Sequence, residues 1–134
     1  MPDTTTYDYA IVRVVPDVAR GEFINCGVIV FCRTKKYLAA EVALDETRLL
    51  ALAPDVDVGE VRRHLGVIPR ICSGDLTAGP IASLSQSERF NWLVAPRSAM
   101  IQMSSVHSGI ADDPTQVLVK LMETMVTRPD QASG

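Results

Sequence analysis

Between Arg89 and Gly109 the chain gathers side chains that could hold a ligand: Arg89, Trp92, Arg97, Ser98, Ser104, Ser105 and His107. A guanidinium is a planar, permanently charged fork of donors that matches phosphate or carboxylate oxygens. The serine hydroxyls could complete an oxygen shell. His107 could add a donor near neutral pH, and Trp92 could supply an apolar wall. The same residues also read as the polar finish of a helix–turn–strand. In that reading Arg89 and Arg97 pair with Glu88 or Asp112, Ser104 and Ser105 serve turn backbone, and Trp92 sits at the edge of the core.

Two further polar sets stand out. Arg13, Asn25 and Glu41 each interrupt an apolar strand pattern. They could meet across neighbouring strands as a buried network or a ligand-lined face, and a cross-strand salt bridge that fixes register is the favoured reading. Arg62, Arg63 and Arg70 could form a basic face for nucleic acid. The net charge of −3 argues against that partner, because polyanion binding works by displacing counterions with excess Lys and Arg.

Signatures of established chemistries are missing. There is no phosphate-binding G-x-x-x-x-G-K-[ST], no G-x-G-x-x-G, no G-x-S-x-G and no H-E-x-x-H. His64 and His107 stand in H-L-G and H-S-G. Cys26, Cys32 and Cys72 form no C-x-x-C pair, so neither a disulfide framework nor a zinc site is expected. No metal, cofactor or catalytic residue is assigned. Cys72, next but one to Arg70, is the thiol expected to be the more reactive.

The elements that must position these groups follow from periodicity. The 134 residues, 47% of them hydrophobic, suit one domain with its own core. Tyr7–Val15 reads as a strand ended by Pro16. Ile24–Cys32 is apolar on both faces and reads as a central strand, with Gly27 marking a bulge or a close backbone approach. Lys36–Leu44 completes a three-stranded meander.

Helical spacing then takes over. Asp45 can cap a short helix bearing Leu49, Leu50 and Leu52. Asp57 can cap a second one bearing Val61, Leu65 and Ile68, which Pro69 should end or kink at Ile68. Ser73–Pro80 is loop by composition. Ser85–Glu88 is a capping box for a helix with Phe90, Leu93 and Val94 inward, and Pro96 stops it. Ala99–Ser104 gives a fourth strand. Asp112–Pro114 opens a last helix striped by Val117, Leu118, Leu121, Met122 and Met125.

The expected fold class is therefore α+β: a mainly antiparallel sheet of about four strands with about four helices packed on it. One domain spans 7–127, and the ends, 1–6 and 128–134, read as loose tails. The start of the chain lacks a signal-peptide pattern and no apolar run is long enough to span a bilayer, so a cytoplasmic protein without a membrane partner is expected.

Four stretches carry a resemblance: Y-D-Y-A-I-V-R-V-V-P, R-G-E-F-I-N-C-G-V-I-V-F-C, R-F-N-W-L-V-A-P-R-S and S-S-V-H-S-G. They are similar to the bacterial domain of unknown function 3037, from about Tyr7 to about Val126, with Cys26 in the N-x-G slot of its strand motif. The resemblance implies a small stand-alone protein. Members of that family are often encoded, in actinobacteria, beside a kinase similar to HipA, the serine/threonine kinase toxin. The expected function is a non-catalytic protein-binding or regulatory module whose partner is such a kinase. The alternative is a small-anion or phosphate-ligand binding protein, with enzymatic activity left open, using the Arg89–Gly109 segment. Self-association through a sheet edge is a further expectation.

Overall fold

The structure, a computed structural model, describes residues 4–97 and 99–127. In chain order it comprises β1 (Thr5–Val14), β2 (Ile24–Cys32), β3 (Tyr37–Val42), α1 (Glu46–Leu52), α2 (Val58–Ser73), α3 (Gln86–Val94), β4 (Ile101–Met103), β5 (His107–Ala111) and α4 (Pro114–Met125). All strand pairings are antiparallel. The order is β3-β2-β1-β4, and β5 also pairs with β1. The fold is α+β.

The sheet has five strands, one more than expected, because β1 is long enough to hold two short strands along one edge. Val12–Val14 pairs with β4, and Thr5–Tyr9 pairs with β5. Strand β1 thus begins at Thr5, two residues before the expected start. Of the ends read as tails, residues 1–3 and 128–134 lie outside the described residues.

Ser104 bridges the break between β4 and β5. Its N–H donates to the Ile11 carbonyl at 2.9 Å, and its Oγ accepts from the Ile11 N–H at 2.8 Å. The hydroxyl stands where a strand carbonyl would be, so no buried donor is left open at the interruption.

Strand β2 carries the bulge that Gly27 announced. Val12 faces Gly27, then Arg13 faces Asn25, so Cys26 is the extra residue. Side-chain direction switches there. Ile24 and Cys26 point to the same side as Ile29 and Phe31, and Asn25 shares the other side with Val28 and Val30. A Cβ on Gly27 would lie 2.5 Å from the Glu41 carbonyl oxygen and 2.9 Å from Val42 Cγ1, so only glycine fits.

Both faces are covered, unequally. On one, Val12, Val14, Ile29, Phe31 and Leu38 pack against Leu49 of α1, Val61, Leu65, Ile68 and Ile71 of α2, and Phe90 and Leu93 of α3. Phe31 and Phe90 stack with centroids 5.1 Å apart. On the other face, Leu118 and Met122 of α4 cover Ile11, Val28 and Val30. Because α4 lies over β2 and β3, the β1–β5 half of that face carries a half-exposed ladder of Tyr7, Tyr9 and His107. Their centroid spacings are 6.2 and 5.4 Å.

Helix starts follow the capping signals. Asp45, Asp57 and Asp113 accept from Arg48, Glu60 and Thr115 N–H groups, and Ser85 and Glu88 complete a reciprocal box. Helix α2 departs from expectation: it runs through Pro69 to Ser73. Pro69 removes one backbone donor, but Ile71 and Cys72 beyond it are buried in the core, and that burial outweighs the loss. The helix ends at Gly74, left-handed at φ 79°, with Asp75 N–H returning to the Arg70 carbonyl at 3.0 Å.

Candidate functional site

The Arg89–Gly109 residues go to separate places. Arg89 is 8% exposed. Its Nη1 donates to the Ile71 and Cys72 carbonyls at 2.9 and 2.8 Å, and its Nε to the Leu84 carbonyl at 3.0 Å. It donates to the Cys72 carbonyl and adds a second donor to the Ile71 carbonyl, which also accepts from the Gly74 N–H, at the C-terminal end of α2, where a cation is also favoured by the helix dipole. Ser104 is buried in the sheet edge, and Ser105 is exposed beside it, accepting from Ser104 Oγ at its carbonyl. His107 stacks near Tyr9 on the α4 side of the sheet. Ser98 lies outside the described residues. Trp92 and Arg97 meet. The Arg97 guanidinium lies 4.8 Å over the Trp92 ring, and its Nη2 donates to the Trp92 carbonyl at 2.5 Å.

Arg97 stands at the β4 edge and borders cavities on both sides of it. On the α2 side, a depression of about 420 Å³ runs past Asp57, Glu60, His64 and Ile101. His64 was not among the expected site residues, since only tertiary packing brings it toward Arg97. Its Nε2 sits 3.1 Å from Glu60 Oε1.

On the other side of the edge, a cavity of about 360 Å³ is lined by Arg13 and Arg97 together with Phe23, Gln102 and Met103. Arg13 faces Asn25 on β2 and Gln102 on β4. Its guanidinium carbon lies 4.2 Å over the Phe23 ring. The Arg13 Nε is shielded from solvent and has no hydrogen-bond partner among the described residues, and the same is true of Asn25 Oδ1. Asn25 is otherwise tied to α4, its Nδ2 donating to the Met125 carbonyl at 3.2 Å. Glu41 does not join this pair. It faces Val28 from β3 and is exposed.

The other arginines of interest are engaged. Arg62 pairs with Glu46, Arg63 with Glu60 at 3.1 Å, and Arg70 with Asp75 at 3.1 Å. The Thr77 hydroxyl, ahead of Arg70, holds the Asp75 carboxyl below its ordinary range. The charge of this helix surface is therefore answered within the protein.

Cys26 and Cys72 are poor nucleophiles. Burial pushes Cys26 up to about 11 and Cys72 up to about 12, the latter against the pull of Arg89. The reactivity expected of Cys72 from its nearness to Arg70 does not follow, because the side chain is buried in the core.

One more feature concerns the backbone. The outer edge of β5 carries no strand partner among the described residues. Residues 104–111 contain no Lys, Arg, Asp or Glu. Ile110 is 72% exposed and Val106 43% exposed. Ser108 Oγ donates to Asp8 Oδ1 at 2.6 Å, and Lys35 Nζ donates to the Asp112 carbonyl, so the strand is held in place on β1 and at its end. The Tyr7 ring lies where a Cβ on Gly109 would project.

Among the described residues no helix is long and apolar enough to cross a membrane. No curated protein and no solved structure matches the chain. A family model described as a protein of unknown function (DUF3037) does match, over residues 9–126, and the chain belongs to that family.

Proposed function

We propose that this protein is a binding module that takes an extended segment of a partner protein along the outer edge of β5, and that the partner is a HipA-like serine/threonine kinase. The observation that carries the reading is the unguarded edge. Edge strands are ordinarily protected by charge, proline or a covering element, because their open N–H and C=O groups template further pairing. Here the edge is uncharged, pinned from behind by Ser108–Asp8, and bears the exposed side chains of Val106 and Ile110. Main-chain hydrogen bonds from an added strand would supply affinity, and contacts to Val106 and Ile110 would supply selectivity. The kinase is the partner expected from the family resemblance.

The test is co-purification of the chain with a HipA-like kinase, read by size-exclusion chromatography with light scattering. A stable heterocomplex that is lost in Val106→Lys/Ile110→Lys supports the proposal. Both side chains are exposed, so the pair of substitutions should leave the fold intact. No association at micromolar concentration refutes it. A complex indifferent to both lysines refutes the assignment to β5, and a self-dimer formed through β5 in place of the heterocomplex refutes the kinase.

A further inference from the structure

We propose that the cavity shared by Arg13 and Arg97 binds a small organic anion, its phosphate or carboxylate head between the two guanidinium groups and an apolar body against Phe23 and Met103. The inference starts from how this acidic chain disposes of its arginines. Arg20, Arg62, Arg63 and Arg70 each sit on a carboxylate, Arg33 donates to the Ser87 hydroxyl, Arg48 lines a separate cavity together with Asp45, and Arg89 is consumed by three carbonyls. Among the described residues Arg13 has no hydrogen-bond partner at its buried Nε, and Arg97 donates to two backbone carbonyls of its own turn. These two line one cavity, and no Asp or Glu lines it with them.

Both groups are also held in place. Arg13 is planted on Phe23 and Arg97 on Trp92, each guanidinium lying over a ring. Stacking fixes the plane of each fork; Arg97 spends its Nε and Nη2 on backbone carbonyls and keeps Nη1 to meet an oxyanion without further ordering. A volume of about 360 Å³ falls at the small-ligand end of binding cavities. Two cations in a chain of net charge −3 are too few to hold a polyanion, so the ligand is a small molecule.

The experiment titrates the full chain by calorimetry with inorganic phosphate, phenyl phosphate and benzoate, at ionic strength held constant with sodium chloride. Trp92, the only tryptophan, lies against Arg97 and gives a second readout by fluorescence. At least one of the two aromatic anions should saturate and shift the emission, and the tighter of them identifies the head group. Arg97→Gln and Arg13→Gln should each weaken binding about tenfold or more, the loss of a charge-assisted contact. Arg62→Gln, which removes an exposed arginine already paired with Glu46, should bind as the parent does. Should Arg13→Gln fail to fold, Arg97→Gln decides, since Arg97 is exposed. Absence of saturation for all three probes up to about 10 mM, a Kd weaker than any functional small-molecule site needs, overturns the proposal. Unaltered affinity in Arg97→Gln overturns it equally.

Discussion

Replacing Arg89 with methionine removes a cation while keeping most of the stem, and the structure sets the cost. Three bonds disappear, to the carbonyls of Ile71, Cys72 and Leu84. Hydrogen bonds to charged groups contribute about 1.5–3 kcal/mol each, so simple addition gives roughly 4–9 kcal/mol. That sum overshoots, since the bonds to Ile71 and Cys72 share one nitrogen and the Leu84 carbonyl lies in a part-buried setting that water can reach. We expect a loss of about 2–4 kcal/mol, since a buried carbonyl left without its donor costs about 1–3 kcal/mol and the three effects overlap. Against a typical domain stability of about 5–15 kcal/mol this is severe but measurable. Urea unfolding followed by circular dichroism should show a lower midpoint with an unchanged slope. Arg89→Lys should recover less than half, because an ammonium lacks the fork that reaches from α2 to Leu84. A loss below about 1 kcal/mol in Arg89→Met would refute the assignment of Arg89 as the closure of α2.

Other consequences can be checked with the same instruments. Ser104→Ala leaves the buried Ile11 N–H without its acceptor and should cost about 1–3 kcal/mol, whereas Ser105→Ala, on an exposed side chain, should stay within about 0.5 kcal/mol. Gly27→Ala forces a Cβ against the Glu41 carbonyl and should cost about 1–3 kcal/mol in urea unfolding. The thiols give a pH dependence of definite sign. Cys26 and Cys72 ionise from 9.0 in the reference state but only at about 11 and about 12 in the fold, so above pH 9 the unfolded chain loses protons that the folded one keeps. Their contribution to stability should therefore be constant below pH 9 and fall as pH rises toward 11–12, by up to about 1.4 kcal/mol per pH unit for each thiol. Cys26→Ala/Cys72→Ala should flatten that decline, and an equal slope in the double variant would show that other groups cause it.

Local signals were the legible part. The capping residues Asp45, Asp57, Ser85 and Asp113 act within a few residues of themselves, and each begins its helix. Gly27 was readable as a bulge because an interior strand glycine has few other uses. Strand β5 was not, since H-S-G-I-A has weak strand propensity and is held extended by its pairing with Thr5–Tyr9. The run of α2 through Pro69 was hidden for a related reason: burial of Ile71 and Cys72 is a tertiary fact. Of the candidate site, the chemistry of the arginines was evident and their company was not. Arg89 and Arg97 are close in sequence, yet one closes a helix and the other opens onto a cavity. Arg97 and Arg13 are far apart in sequence and share that cavity because β4 pairs with β1.

The most direct test of the β5 edge as a docking strand is hydrogen–deuterium exchange of the chain with and without the HipA-like kinase. Strand addition predicts slowed amide exchange across residues 104–111, with α2 and α4 unchanged. Protection confined to the α2–α3 face, or none at all in a formed complex, would contradict it.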